Sequence, residues 1–196
     1  MTRFRDQAIE IMVDRVSLDL NGFTVSICVG VICGIEEGND AINADLKSNV
    51  RIDNGTVKRA GRFCIRTGAN SEIRNVQAED CYVGIDVGPG SRVLNVGVTD
   101  SGLYGIGLGE GSLLKGSTVT NSADAGVRVG EVALLVDSVI QNNQKAVGGI
   151  GANVARRGGY RGCVITENNS GAEEQSISPA LLDLGGNVCG TDTTCP

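Results

Sequence analysis

From Val16 onward, apolar and polar residues alternate in short bursts separated by Gly, Asn or Asp, as in VSLDLNGFTV at Val16–Val25. Alternation with a period of two predicts strands, and the Asn21-Gly22 pair between two bursts predicts a turn. Between Gly84 and Ala146 the pattern becomes regular: three segments of 21 residues, GIDVGPGSRVLNVGVTDSGLY, GIGLGEGSLLKGSTVTNSADA and GVRVGEVALLVDSVIQNNQKA, align without a gap. Residues 41–63 and 64–83 carry the same pattern over 23 and 20 residues. A fixed short period means stacked supersecondary units, none of which can bury its apolar face alone.

Setting the units in register exposes columns. One column reads Gly22, Asn54, Asn75, Asn95, Gly116, Asp137, Gly162. These residue types enter the left-handed region most cheaply, so a one-residue turn is expected once per coil. Before that turn Leu20, Ile52, Ile73, Val93, Leu114 and Leu135 should point inward, and after it Val57, Ala78, Val98, Val119, Ile140 and Ile165. A third inward column comes from the coil openings: Ile42, Ile65, Ile85, Ile106 and Val127. Three inward columns imply three short parallel sheets around one core. The expected fold is all-β, a right-handed single-stranded parallel β-helix of about seven coils, the hand following from parallel crossovers. It forms one domain over 1–196, with irregular insertions near 28–40 and 145–179 and a C-terminal cap over 180–196.

The outward columns hold the candidate chemistry. Arg51, Glu72 and Arg92 should stack about 4.8 Å apart beside Asp53 and Arg74, as a solvated salt-bridge ladder. On the sheet opening each coil, the outward series Asn43, Arg66, Asp86, Gly107, Arg128, Gly149 loses its side chain at Gly107. That predicts a shallow groove between Asp86 and Arg128 in which Arg66, Asp86 and Arg128 would contact an extended polymer. Leu94, Leu113, Leu134 and Val136 form an apolar outward patch, expected to be covered by the later insertion or to face another subunit. Asp80, Asp100, Asn121, Asn142 and Glu167 stack in the loops five residues past the turns. Side-chain ladders with backbone groups are expected there, so no cofactor or metal is expected, with calcium as the alternative that such oxygens could hold.

Composition sharpens this picture in two respects. Gly is 29 of 196 residues and aromatics are 3%, as suits a chain that turns often over a narrow core. The net charge of −6 supplies no basic stripe for nucleic acid, and there is no apolar run of about 20 residues to span a membrane. Met1–Asp14 lacks a long apolar stretch and a small-residue cleavage site, so no signal peptide is read there. Seven cysteines nevertheless point to an oxidising compartment, extracellular or periplasmic, and to a fragment or mature form whose upstream part is missing. Cys28–Cys33 and Cys189–Cys195 are expected as local disulfides, with a pair of unpaired buried thiols as the alternative for the first. Cys163, behind Ser117 and Ser138, reads as a buried free thiol, whereas Cys64 and Cys81 sit at different places around neighbouring coils and are left reduced or unassigned.

With its LDLNGFTV opening at Leu18–Val25, the cysteine-flanked loop after it, NVRIDNGTV at Asn49–Val57, the regular coils and the ending DLGGNVCGTDTTCP, the chain resembles the bacterial right-handed parallel β-helix repeat proteins of the pectin-lyase-like superfamily. The resemblance implies the fold, and with it a range of activities that includes polysaccharide lyases, hydrolases, epimerases, adhesins and phage tailspikes. Members usually carry more sequence before the first LDLNGF strand. An open N-terminal end, or the Leu94/Leu113/Leu134/Val136 face, would then support a homo-oligomer.

Two functions are weighed. The first is a non-catalytic role at the cell exterior, binding polysaccharide or serving in structure and interaction. The alternative is lyase or epimerase chemistry on a uronic-acid polymer, which needs a base and cations to hold developing charge. Histidine is absent, and Lys58, Arg59, Arg62 and Arg66, near Asp53 and Asp86, are the best cluster for that chemistry. Hydrolysis needs carboxylates converging on one face, and no outward column offers that.

Overall fold

The computed structural model describes residues 7–27, 40–149, 158–168 and 181–190. Within them every strand pairing is parallel, and each coil passes through three arms. The first arm of each coil joins a seven-stranded sheet, stacked in the order Gln7–Glu10, Asp40–Ala44, Phe63–Thr67, Val83–Val87, Ile106–Leu108, Ala125–Val129 and Lys145–Gly149. The second and third arms are hydrogen-bonded as one fourteen-stranded sheet, because Arg51–Lys58 and Glu72–Glu79 run unbroken through the corner between them. Among the described residues the stack makes about six turns, against the seven expected. Among the described residues, the coil after Lys145–Gly149 contributes strands only to the bent sheet.

Left-handed corners bend the chain three times per coil. Asn54, Asn75, Asn95, Gly116, Asp137 and Gly162 have φ of 57°, 52°, 52°, 63°, 49° and 62° at the corner between the second and third arms. The column Asp80, Asp100, Asn121, Asn142 and Glu167, read from sequence as side-chain ladders, is the corner after the third arm, with φ between 53° and 58°. Asn121 Nδ2 also donates to Asp100 Oδ1 at 3.1 Å. The remaining corner, from the first sheet to the second arm, is formed by Asn49, Asn70, Gly90, Gly111 and Val132. Val132 is out of place there: its φ is 58°, a region that a β-branched residue enters at a cost, and its side chain is 45% exposed and earns little packing in return. Val132→Gly is therefore expected to raise stability by about 1 kcal/mol, read as a higher denaturation midpoint. An unchanged or lower midpoint would show that the corner carries no strain.

The core is three apolar columns. Ile42, Ile65, Ile85, Ile106 and Val127 are wholly buried, as are Ile52, Ile73, Val93, Leu114 and Leu135 on the second arm. The third-arm column from Val57 to Ile165 is buried too. One register differs from expectation: Leu18, not Leu20, lies opposite Ile52. The first coil spends four residues, Leu20 to Phe23, where the next spends Asn54 and Gly55, and Leu20 packs over Gly55, where a Cβ would meet its side chain.

At the corners, where strand pairing lapses, inward polar side chains take over the backbone hydrogen bonds. Val50 N–H donates to Ser71 Oγ, Ser71 N–H to Ser91 Oγ and Ser91 N–H to Ser112 Oγ, at 3.0–3.3 Å. Val96, Ser117 and Ser138 repeat the device at the next corner, where Cys163 is the following member and is a buried free thiol. At the third corner Ser122 N–H donates to Asn143 Oδ1 and Asn143 N–H to Asn168 Oδ1, each at 2.9 Å.

Cys64 and Cys81, left unassigned from sequence, form a disulfide with Cα atoms 5.7 Å apart. They flank the corner that joins the third arm to the first sheet, so their distance around the coil is no obstacle. Cys189 is disulfide-bonded, and its expected partner Cys195 lies outside the described residues, as does the expected Cys28–Cys33 pair.

Candidate functional site

The outer face of the first sheet carries Asn43, Arg66, Asp86, Gly107 and Arg128 in direct register. The next member opposite Arg128 is Gly148 rather than Gly149, because the last coil closes one residue sooner. Arg66 lies between two carboxylates, its Nη1 3.1 Å from Asp45 and its Nε 3.9 Å from Asp86. Its guanidinium also sits 4.9 Å from the Phe63 ring, as does that of Arg62.

The groove expected over Gly107 is filled. Tyr104, at the corner just before this strand, lays its ring into the gap and donates its hydroxyl to Asp86 Oδ1 at 3.3 Å. Arg128 covers the ring at 4.4 Å and is held by Asp124 at 2.7 Å. Gly107 makes room for this arrangement, since a Cβ there would collide with Asp86 Oδ1 and lie 3.0 Å from Tyr104 Cε2. Burial raises the Asp86 carboxyl above the ordinary range, partly offset by Arg66 and the Tyr104 hydroxyl. The Tyr104 hydroxyl is pushed up by burial and then by Asp86. Nearby, Asp40 is buried and accepts the Phe63 N–H at 3.2 Å, and burial raises its carboxyl against the pull of Arg62 and Arg66.

Open space lies instead along the edge of this sheet. A cleft of about 370 Å³ is bordered by Asp45, Leu46, Arg66, Asp86 and Pro89. A second, of about 240 Å³, is bordered by Glu10, Met12, Asn43, Asp45 and Lys47. Asp45 is common to both, so the two clefts adjoin along the stack. Leu46 and Met12 are 84% and 70% exposed at their rims, Leu46 being held out by a left-handed backbone with φ of 62°. Nothing in the column pattern marks this edge, because Asp45 to Ser48 belongs to the extra length of an irregular coil.

The other sequence candidates fall elsewhere. Lys58 is on the third arm in register with Ser26 and Glu79, and Arg59 turns the following corner 3.9 Å from Asp80. They are thus separated by a corner from Arg66 on the first sheet and from Arg62 just before its strand. Asp53 is no member of a solvated ladder: its side chain is 7% exposed and accepts from Arg51 at 3.1 Å, Arg74 Nε at 2.6 Å and Asn75 at 3.1 Å. Leu94, Leu113, Leu134 and Val136 share the outer face of the second arm, where Leu134 is 40% exposed. Leu184 lies over Gly159, the next residue in Leu134's column. Among the described residues no group of three or more His, Cys, Asp or Glu is placed to hold a metal ion, and no helix is long and apolar enough to cross a membrane.

No protein-family model matches the chain, and no curated protein matches it. Among solved structures the chain is similar to pectate lyase Pel9A, with a TM-score of 0.51 at 16% identity over 74% of this chain. It spans 46% of the length of that protein. The likeness is one of fold, a parallel β-helix.

Proposed function

We propose that the chain is a polysaccharide-binding β-helix that holds an extended glycan along the edge of its first sheet. The observation that carries this reading is the pair of adjoining clefts sharing Asp45, which run along the stack and combine exposed apolar rims with charged walls. A binding site for a sugar polymer needs that combination, since each ring offers an apolar face and a hydroxyl edge. The coils repeat about every 4.8 Å, so a linear polymer lying along the stack meets polar groups from successive rungs. The fold likeness to a pectate lyase points toward the same ligand class. The Cys64–Cys81 bridge supports an oxidising compartment outside the cytosol.

Affinity electrophoresis in gels containing polysaccharide tests the reading. The chain is expected to be retarded, and Arg66→Ala, which frees Asp45 and Asp86 from their shared cation, to weaken retardation at least about tenfold, or about 1.4 kcal/mol. A chain that no polysaccharide retards would refute it. Incubation with uronic-acid polymers, followed at the absorbance of an unsaturated product, is expected to show no turnover. A rise in absorbance would establish the lyase alternative instead.

A further inference from the structure

Resting on that binding role, we infer that the two clefts select neutral, hydroxyl-rich glycans and turn away polyuronates. Their charged borders are Glu10, Asp45 and Asp86 against Lys47 and Arg66, three carboxylates to two cations. Arg66, the cation that borders the larger cleft, is already committed to Asp45 and Asp86. A uronate carboxylate approaching it would meet both of these at short range, where like charges repel strongly because the surroundings are partly desolvated. A neutral sugar meets no such barrier. Its hydroxyls can donate to the outer lone pairs of Asp45 and Asp86, and its C–H face can lie on Leu46, Met12 or Pro89.

Two further features favour the neutral ligand. Asp45 is anchored at its backbone, its N–H donating to Asn43 Oδ1 at 2.8 Å and Lys47 N–H closing the turn onto Ala44 O at 3.0 Å, and its carboxylate is held at the cleft by Arg66 at 3.1 Å, where an incoming anion must meet it. The chain as a whole carries a net charge of −6, which opposes the approach of any polyanion at low salt.

The test compares retardation of the full chain in gels containing galactomannan, a mixed-linkage β-glucan or polygalacturonate, at about 50 and 300 mM salt. At least one neutral polymer is expected to bind at least tenfold more tightly than polygalacturonate, with little dependence on salt. Glu10→Lys, which inverts the balance of charge at an exposed border position given no part in holding the sugar, is expected to raise polygalacturonate binding at least tenfold while leaving neutral binding within a few-fold. Leu46→Asp is expected to weaken neutral binding. Binding of polygalacturonate as tight as that of the neutral polymers would overturn the selectivity and leave polysaccharide binding standing, and an absence of binding to all three would overturn both.

Discussion

Gly105→Ala is expected to destabilise the protein by about 2–3 kcal/mol, and adding Val119→Ala to recover a substantial part of that loss. A Cβ at Gly105 would run into Val119 Cγ1, lie 2.7 Å from the Gly126 carbonyl oxygen and 2.9 Å from Ser122 Oγ. The side chain can be trimmed, whereas the carbonyl belongs to the strand pairing of the next coil and yields only by distorting it. The same three-way contact recurs at Gly84 with Val98, the Gly105 carbonyl oxygen and Ser101, whereas at Gly126 the nearest atoms belong to the side chains of Asn143 and Ile140. The opening Gly of each regular segment is thus required by close packing at one corner. Urea midpoints for the single and double variants measure both effects, and a change under about 0.5 kcal/mol in Gly105→Ala would show that the corner tolerates a methyl group.

Cys64→Ala with Cys81→Ser is expected to lose about 3 kcal/mol, the loop entropy released when a bridge across a separation of 17 residues is removed. The bridge stands where the later coils have their Gly and Ser. Cys64 lies in register with Gly84, since Phe63 pairs with Val83 and Ile65 with Ile85. Cys81 stands in the column of Ser101 and Ser122, and its sulfur accepts the Ala60 N–H at 3.3 Å. The third-arm residue that crowds the Gly in later coils is Val98 or Val119, and in this coil it is Ala78, which leaves room for the extra sulfur. Removing the bridge therefore opens a cavity as well as freeing the chain. Denaturation of the variant, with and without a thiol reductant, measures the effect: the parent should fall toward the variant on reduction, and equal midpoints for parent and variant under oxidising conditions would refute the assignment.

Gly, Ser and Val stand at this corner in the first two aligned segments, and Cys, Cys and Ala replace them one coil earlier, but the columns drawn from sequence include only the Val and Ala positions of that set. The pairing of Cys64 with Cys81 was missed because the two were compared by position around the coil and not across the corner. The turn column from Asn54 to Gly162 was legible for a simpler reason: the left-handed region admits few residue types cheaply, so composition alone marks it. Val132 escaped for the converse reason, since a valine gives no local sign of a left-handed corner and only its place in the stack puts it there.

Local rules acting on an exact repeat determined the architecture from sequence alone. Period-two alternation set the arms, left-handed tolerance set a corner, and the shared period carried each choice from coil to coil, so that core columns from Ile42 to Ile165 followed. The candidate site obeyed no such rule. Tyr104 fills the space over Gly107, Arg66 is shared by Asp45 and Asp86, and Asp53 is buried beneath Arg51 and Arg74. Long side chains reach across several rungs, and which neighbour they meet depends on corner geometry and on where an irregular coil adds residues. Only the tertiary structure decides those distances, and with them where the surface is filled and where it stays open.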